Sequence, residues 1–287
     1  MTGETNPALN TDMTVSPSKE THVKRRRLRK WILNLSLALT IIGPLIFAVA
    51  AIGYKIGIFS LGTALGTLTR ELGPKVLMLG VLVAAMALLF AIIIKPRKGI
   101  AIGLVGLVIP LFGLIQLGKV KSTVETLPFI HDVSTDTQDV PMFTDIIMKE
   151  RDQVKGVNPA DYIGKMAPAR DAKGEPTQKL VSVLQTKAYP DIRSVVVEEP
   201  VDTVFNKAQS VAKDMGWDIK TTDRDLGIVE ATHTTFWYGF EDDVIIRLRP
   251  SEGGGTLVDM RSLSRIGGSD LGKNAERIRE FMQAIQK

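Results

Sequence analysis

Apolar residues form long uninterrupted runs in the first 118 positions and alternate with polar residues after about position 190. Three runs of about membrane length, at 31–51, 76–94 and 100–118, contain no Asp, Glu, Lys, Arg or His. A helix needs roughly 20 apolar residues to cross a hydrocarbon core of about 30 Å, and it satisfies its own backbone hydrogen bonds there. The pattern therefore predicts a transmembrane region of three helices over residues 31–118.

Basic residues flank these runs unevenly, which predicts their orientation. Six Lys or Arg residues lie in 24–30, and three more lie in 95–98, between the second and third runs. Positively charged flanks stay in the cytoplasm, so three spans place the C-terminal domain on the opposite side. The expected localisation is the bacterial inner membrane with a periplasmic domain. Residues 1–30 are predicted to be a disordered cytoplasmic tail, and the apolar, Gly-rich stretch at 56–68 an interfacial or re-entrant segment.

The hydrophobic period changes in the C-terminal half to the periods of strands and amphipathic helices. Strands are predicted at 194–198, 217–222, 228–234, 243–250 and 256–265, with helices at 200–215 and 269–285. The order β-α-β-β-β-β-α over residues 191–287 predicts an α+β domain with an antiparallel sheet and helices on one face. A helix-grip arrangement, in which the sheet curls around the last helix, is the expected form. The proline-rich segment 119–190 is predicted to be an irregular stalk that packs on this domain.

Net charge differs between the two halves of the chain. Because of this difference, the high overall pI does not indicate binding to nucleic acid. Residues 1–118 hold 13 Lys/Arg and 4 Asp/Glu, a net of +9, whereas residues 119–287 hold 23 and 27, a net of −4. The basic excess is a topology signal and favours contact with lipid headgroups. An acidic soluble domain disfavours binding to a phosphate backbone. The lipid bilayer is thus a predicted partner, and nucleic acid is not.

Cysteine and histidine usage limits the chemistry that the chain can carry. The absence of Cys excludes disulfides, thiol catalysis and thiolate zinc sites. The chain has three His residues, none with a partner at metal-ligand spacing. No metal site and no cofactor are predicted.

Alternating charges mark one face of the last two predicted strands. Asp243 and Arg247 lie on the first of them, and Asp259, Arg261 and Arg265 lie on the second. One register of the hairpin sets Asp243 opposite Arg261, and the next sets Arg247 opposite Asp259. Either register pairs opposite charges. The pattern indicates a solvated, ion-paired sheet face or an arginine-lined site for an anionic ligand or partner.

Two further segments could carry function. Four aromatic residues occupy five positions at 236–240, among them Trp237 and Tyr238; they could close the core or form a ligand mouth or partner-facing wedge. His131 and Asp132 lie in the segment PFIHDVSTD, which also holds Asp136. A His beside carboxylates and Ser fits a hydrolase, although the G-x-S-x-G nucleophile motif does not occur.

Several of these segments together resemble the domain-of-unknown-function family 1499. The resemblance covers about residues 127–286 and rests on PFIHDVSTD, AYPDI, MGW, EATHT, FWYGFEDDVIIRLRP and VDMRSLSRIGGSDLGKNAERIREF. It implies a bacterial envelope-associated or plastid-related protein, and it assigns no role to any residue. The matching positions are His131, Asp132, Asp136, Tyr189, Pro190, Gly216, Trp217, Glu230, Asp242, Asp243, Arg247, Asp259, Arg261, Ser262, Ser264, Arg265, Asp270, Asn274 and Arg277.

These observations leave more than one function open, and they favour a non-enzyme. The first hypothesis is a membrane-anchored periplasmic module that binds an anionic envelope lipid, an anionic metabolite or an envelope protein. Its candidate contacts are Arg247, Arg261, Arg265, Asp243, Asp259, Trp237, Tyr238, His131 and Asp132. The alternatives are a membrane-anchored hydrolase that uses His131 with Asp132, and a structural assembly factor of a membrane complex.

Overall fold

Three long helices follow the three predicted apolar runs. The computed structural model describes residues 17–287. It contains α1 (Pro17–Lys55), α2 (Gly73–Ile93) and α3 (Ile100–Thr126), and three helical stretches are long and apolar enough to cross a membrane. The predicted tail lies partly outside the described residues, at 1–16. Its remainder is helical rather than disordered, because Lys and Arg are good helix formers and only extend a helix that the apolar run has already nucleated.

Small residues bring the membrane helices close together. A Cβ atom added to Gly80 of α2 would lie 3.2 Å from the Pro110 ring of α3. One added to Gly103 of α3 would lie 3.0 Å from the Leu88 backbone of α2. Close approach at Gly is the usual way for helices to gain packing in lipid, where no hydrophobic force drives association.

A π-helix precedes α2 and revises the prediction of an interfacial or re-entrant segment between the first two membrane spans. It covers Gly62–Leu72 and leads directly into Gly73, and the Thr69 hydroxyl donates to the Ala64 carbonyl at 2.8 Å. The irregular connection between α1 and this helix is therefore confined to residues 56–61. The stretch that predicts an interfacial or re-entrant segment is helical from residue 62 onward.

The C-terminal part of the chain forms its own compact unit, Lys119–Lys287. Its elements, in chain order, are β1 (Asp132–Ser134), α4 (Asp145–Asp152), β2 (Met166–Arg170), β3 (Pro176–Leu180), α5 (Val181–Ala188), β4 (Val195–Val197), α6 (Val201–Asp214), β5 (Asp218–Asp223), β6 (Ile228–Thr234), β7 (Glu241–Pro250), β8 (Thr256–Ser264) and α7 (Lys273–Ile285). The predicted β-α-β-β-β-β-α order from residue 194 onward is confirmed, and the domain is α+β with an antiparallel sheet.

Six strands form the main sheet, in the order β1-β8-β7-β6-β5, and β4 also pairs with β8. The short strands β1 and β4 share one edge of β8: β1 pairs with residues 261–263, and β4 with 256–258. A separate two-stranded sheet joins β2 and β3. Since β1 reaches β8 from 129 positions upstream, the main sheet is completed by residues far from it in sequence.

One face of the main sheet holds the hydrophobic core. Val244, Ile246 and Leu248 of β7 are buried beneath α6 and α7, as the alternation of strand residues requires. Trp217 stacks on Phe281 of α7, with 5.7 Å between the ring centroids. The other face of β7 and β8 carries the charged residues, and it is there that the structure departs most from the sequence pattern.

The segment 119–190 is an integral part of the domain and not an irregular stalk. Ile130, Val133 and Ile147 are fully buried, and β1 pairs with β8 of the main sheet. The segment contains α4 and α5 besides three short strands. Its elements of three to eight residues are too short for a recognisable hydrophobic period, and the pairing partner of β1 lies far away along the chain.

Candidate functional site

A buried ion pair joins β1 to β8. Arg261 of β8 donates to Asp132 of β1 through Nε at 3.0 Å and Nη2 at 2.8 Å, and neither side chain is more than 1 % exposed. Its Nη1 also donates to the Pro141 carbonyl at 3.2 Å, and the Phe143 ring lies under the guanidinium. A planar Arg fork suits two-point contact with a carboxylate, so the two residues satisfy each other inside the protein.

A second cluster surrounds Asp243, whose carboxylate accepts bonds from two arginines. Arg265 reaches it through Nη2 at 2.7 Å, and Arg151 of α4 reaches it through Nη1 at 2.6 Å. Arg265 also donates to Glu241 at 2.7 Å and Glu150 at 2.8 Å. The cluster therefore connects α4 with β7 and with the residue that follows β8.

A third cluster lies nearer the surface. Arg247 and Arg249 of β7 both donate to the fully buried carboxylate of Asp259, at 2.9 and 2.7 Å. Both also donate to Asp139, which is 61 % exposed. The Ser194 hydroxyl adds a further hydrogen bond to Asp259. Two cations thus meet two carboxylates, which leaves no excess charge for an external ligand.

These contacts decide between the two predicted registers and revise the predicted surface. Arg247 lies opposite Asp259 as predicted, whereas the alternative pairing of Asp243 with Arg261 is wrong because Asp243 lies opposite Leu263. Most of the charged face is not solvated, because contacts from residues 132–160 cover it. The predicted ligand contacts Asp243, Asp259, Arg261 and Arg265 are buried, and each is bonded to an oppositely charged side chain within the domain. This geometry favours a structural role for them.

A further polar network lies between β8 and α7; the family resemblance includes most of its positions, but the sequence assigns them no role. Arg277 donates to Asp242 at 2.7 Å and to the Ser262 hydroxyl at 2.8 Å, and its Nη2 lies 3.0 Å from His233 Nδ1. Asn274 receives the Ser262 hydroxyl proton at 2.7 Å. Burial, followed by the positive charge of Arg277, lowers the pKa of His233. These residues fix α7 on the sheet, and nothing in their local spacing distinguishes them from an ordinary helix face.

His131 and Lys165 line a small cleft at the edge of the domain. The cleft has a volume of about 110 Å³, and its walls include Phe129, Met166 and Gly268. His131 Nδ1 lies 3.2 Å from the Gly268 carbonyl, and its Nε2 lies 3.1 Å from Lys165 Nζ. A carbonyl only accepts hydrogen bonds, so Nδ1 carries the proton and Nε2 accepts from the lysine.

Burial is the main cause of the altered acidity of both groups. It lowers the pKa of His131, and the nearby charge of Lys165 lowers it further. It also lowers the pKa of Lys165, whose side chain is 13 % exposed. His131 is therefore neutral near pH 7, where it serves as a hydrogen-bond acceptor for the ammonium group. Lys165 belongs to the segment predicted as a stalk, and no sequence signal singles it out.

The cleft lacks the arrangement that the predicted hydrolase requires. Both carboxylate oxygens of Asp132 accept from Arg261, and the ring nitrogen that a triad carboxylate would orient faces the Gly268 carbonyl instead. The residues that line the cleft, Phe129, Ile130, His131, Asp132, Lys165, Met166, Ala167, Pro168, Val181 and Gly268, include no Ser, Thr or Cys to act as a nucleophile. The geometry thus disfavours His131 and Asp132 as a catalytic pair.

The aromatic turn between β6 and β7 is exposed at its tip. Phe236 is 77 % exposed and Trp237 is 60 % exposed, and their rings meet edge to face at 5.3 Å. Tyr238 stacks on Phe240 at 5.1 Å. The tip therefore does not close the core, and the interpretation as a wedge or mouth remains a prediction.

Metal-binding residues are not grouped in the part of the chain that the structure describes. No set of three or more His, Asp and Glu side chains there has positions suited to a metal ion. The carboxylates that lie close together, such as Asp243 and Glu241, are bonded to arginine.

Fold and site define a class of protein: an α+β domain with a charged, buried interior, attached to three helices that can span a membrane. A comparison with protein families gives the narrower placement. The family described as Protein of unknown function (DUF1499) matches residues 132–285, which is more than half of the chain, so the chain belongs to this family. A search of curated proteins gives no match.

Proposed function

We propose that this membrane protein displays a binding domain whose cleft, beside His131 and Lys165, takes a small anionic group with an apolar body. The observation that carries the proposal is the charge of Lys165, which the domain compensates only in part. Its ammonium group lies 4.0 Å from Asp132, but both oxygens of that carboxylate are bonded to Arg261. Its other contacts, His131 Nε2 and the Pro159 carbonyl at 3.0 Å, are neutral.

The walls and size of the cleft support the same ligand class. Ile130, Met166, Ala167 and Pro168 contribute apolar surface beside the ammonium group. A volume of about 110 Å³ corresponds to roughly four water molecules in the liquid. A short acyl chain that ends in a carboxylate fits both properties, since a few convergent polar groups in an apolar cleft are typical of small-molecule sites.

Butyrate and its neutral isostere butyramide test the proposal on the full chain in detergent. Saturation-transfer NMR should show contact with butyrate and little contact with butyramide, and Lys165→Gln should remove the butyrate signal. Lys187→Gln is the matched control, because it removes one charge at an exposed position on α5. Equal signals from both compounds, or a butyrate signal that survives Lys165→Gln, would reject an anion site.

The side of the membrane is the second part of the proposal. The basic stretches at 24–30 and 95–98 support a cytoplasmic position for both, so three spans carry the domain to the periplasmic face of a bacterial inner membrane. The chain has no Cys, so single-Cys variants give a clean label. A membrane-impermeant maleimide should label Glu252→Cys in spheroplasts but label Lys24→Cys only after lysis. The reverse pattern would overturn the orientation.

The exposed aromatic tip supports a second candidate function, contact with an envelope protein. Trp residues anchor many protein interfaces, and Phe236 and Trp237 present a joined apolar surface. A photo-crosslinking amino acid at position 237 should capture one protein in a fixed ratio, and Phe236→Ser should abolish that product. Leu226 is exposed in the β5–β6 turn, so the same crosslinker at position 226 is the control.

A further inference from the structure

The basic stretch before the first membrane span has two faces with different partners. Arg29 is 9 % exposed, and its Nη1 donates to the Ile94 carbonyl at 2.9 Å and the Pro96 carbonyl at 2.6 Å. These carbonyls lie just after the C-terminal end of α2, where a cation is favourable. Leu33, one turn further along α1, is also buried and lies on the same side. Arg29 therefore fixes the turn between α2 and α3.

The opposite face of α1 carries Arg27, Lys30, Trp31 and Asn34. Their spacing of three, one and three residues places them on one side of a helix with 3.6 residues per turn, along about 10 Å of its axis. Together they line an open groove of about 460 Å³. Trp31 is 76 % exposed. Within residues 17–287, neither Arg27 nor Lys30 pairs with a carboxylate, whereas Lys24 lies 2.8 Å from Glu20.

The position of this groove relative to the apolar run identifies its environment. The uncharged stretch of α1 begins at Trp31, and Trp is enriched at the level of lipid headgroups. Arg27 and Lys30 lie up to one turn before it, where the headgroup layer is expected to begin. The Asn34 amide, one turn inside, can donate to a glycerol ester oxygen. Two cations, an indole and an amide thus face the headgroup layer from a single helix face.

We propose that this groove is a binding site for one anionic phospholipid. Arg27 and Lys30 hold the headgroup phosphate, and Trp31 packs on the glycerol and upper acyl region. The site differs from the diffuse attraction of a basic tail for a negative membrane surface, because it depends on one face of α1 and not on the total charge. It is also independent of the cleft beside Lys165.

Native mass spectrometry of the delipidated full chain tests the site. The protein in detergent is titrated with phosphatidylglycerol, with phosphatidylcholine and with inorganic phosphate. One phosphatidylglycerol should bind roughly ten- to thirtyfold more tightly than phosphatidylcholine, as expected from about 1 kcal/mol for each of two cations. R27Q/K30Q should remove this preference. Inorganic phosphate alone should give no Arg27-dependent adduct, because it offers nothing to Trp31.

R25Q/R26Q is the matched control, since it removes the same charge from exposed positions on other faces of α1. The control should keep the phosphatidylglycerol preference. Equal loss in both double variants would show a diffuse charge effect and overturn the proposal, as would equal binding of the two lipids to the unaltered protein. W31A tests the apolar part of the site and should weaken phosphatidylglycerol binding without loss of the headgroup preference.

Discussion

Arg261 and Asp132 lie 129 positions apart in the chain and form a two-point ion pair that solvent does not reach. The pair joins β1, the first strand of the domain, to β8. Removal of one partner would leave the other charge buried without compensation, which costs far more than the loss of a surface ion pair. Its role is therefore to hold the covering segment, residues 119–190, on the charged face of the sheet.

Arg261→Met should lower the free energy of unfolding by about 3–5 kcal/mol, because it leaves the buried Asp132 carboxylate without its two-point partner, with only the Lys165 ammonium group 4.0 Å away. Trp217 is buried and can report unfolding when the exposed Trp31 and Trp237 are replaced by Phe. Urea denaturation of the full chain in detergent, followed by Trp217 fluorescence, measures the change. Binding through Arg261 with no effect on stability would instead support a ligand role for this residue.

The double variant D132L/R261M separates the ion pair from the fold around it. A buried pair replaced on both sides by apolar residues is often neutral, so much of the lost stability should return. If the double variant unfolds as readily as Arg261→Met, the damage comes from lost packing or from the Pro141 contact. Arg224→Gln is the surface control, since Arg224 is 49 % exposed and its partner Asp202 is 80 % exposed; it should cost no more than about 1 kcal/mol.

His131 should make the stability of the domain depend on pH. Its pKa in the folded state is lowered, first by burial and then by Lys165, so the unfolded chain binds protons more readily. Stability is fully present above the usual His pKa of 6.5, and it is lost as the pH falls below that value. The free energy of unfolding measured at pH 7.5 and at pH 5.5 should therefore be lower at pH 5.5.

His131→Asn should reduce this pH dependence while retaining an amide donor for the Gly268 carbonyl. Part of the slope should remain, because burial and Arg277 lower the pKa of His233 in the same direction. A slope unchanged by His131→Asn would assign the whole dependence to His233 and to the carboxylates.

Gly227→Ala should be strongly destabilising, because it introduces both backbone strain and a steric clash. Gly254→Ala introduces backbone strain only, so a comparison of the two variants separates the effects. Gly227 has a φ of +65°, and an added Cβ would lie 2.2 Å from the Leu248 carbonyl oxygen. Gly254 has a φ of +91° with nothing within 4 Å, so Gly254→Ala reports backbone strain alone, about 1–2 kcal/mol. A larger loss at Gly227 in urea denaturation would confirm the steric contact, and equal losses would remove it.

The sequence determined the features that depend on local order along the chain. Apolar runs of membrane length predicted the three spans, and strand and helix periods predicted the elements from residue 194 onward. The alternation on β7 and β8 also predicted that Arg247 could face Asp259. These features require only neighbouring residues, because hydropathy and backbone geometry act over one element at a time.

Tertiary structure alone decided which charged side chains are buried in ion pairs and which remain available to a ligand. The covering segment lacks a recognisable period, yet it places Asp132 on Arg261 and Arg151 on Asp243. It also brings Lys165 to His131 across 34 positions. Whether a charged strand face meets water or another part of the chain depends on contacts between distant segments, and no residue pattern within the strand contains that information.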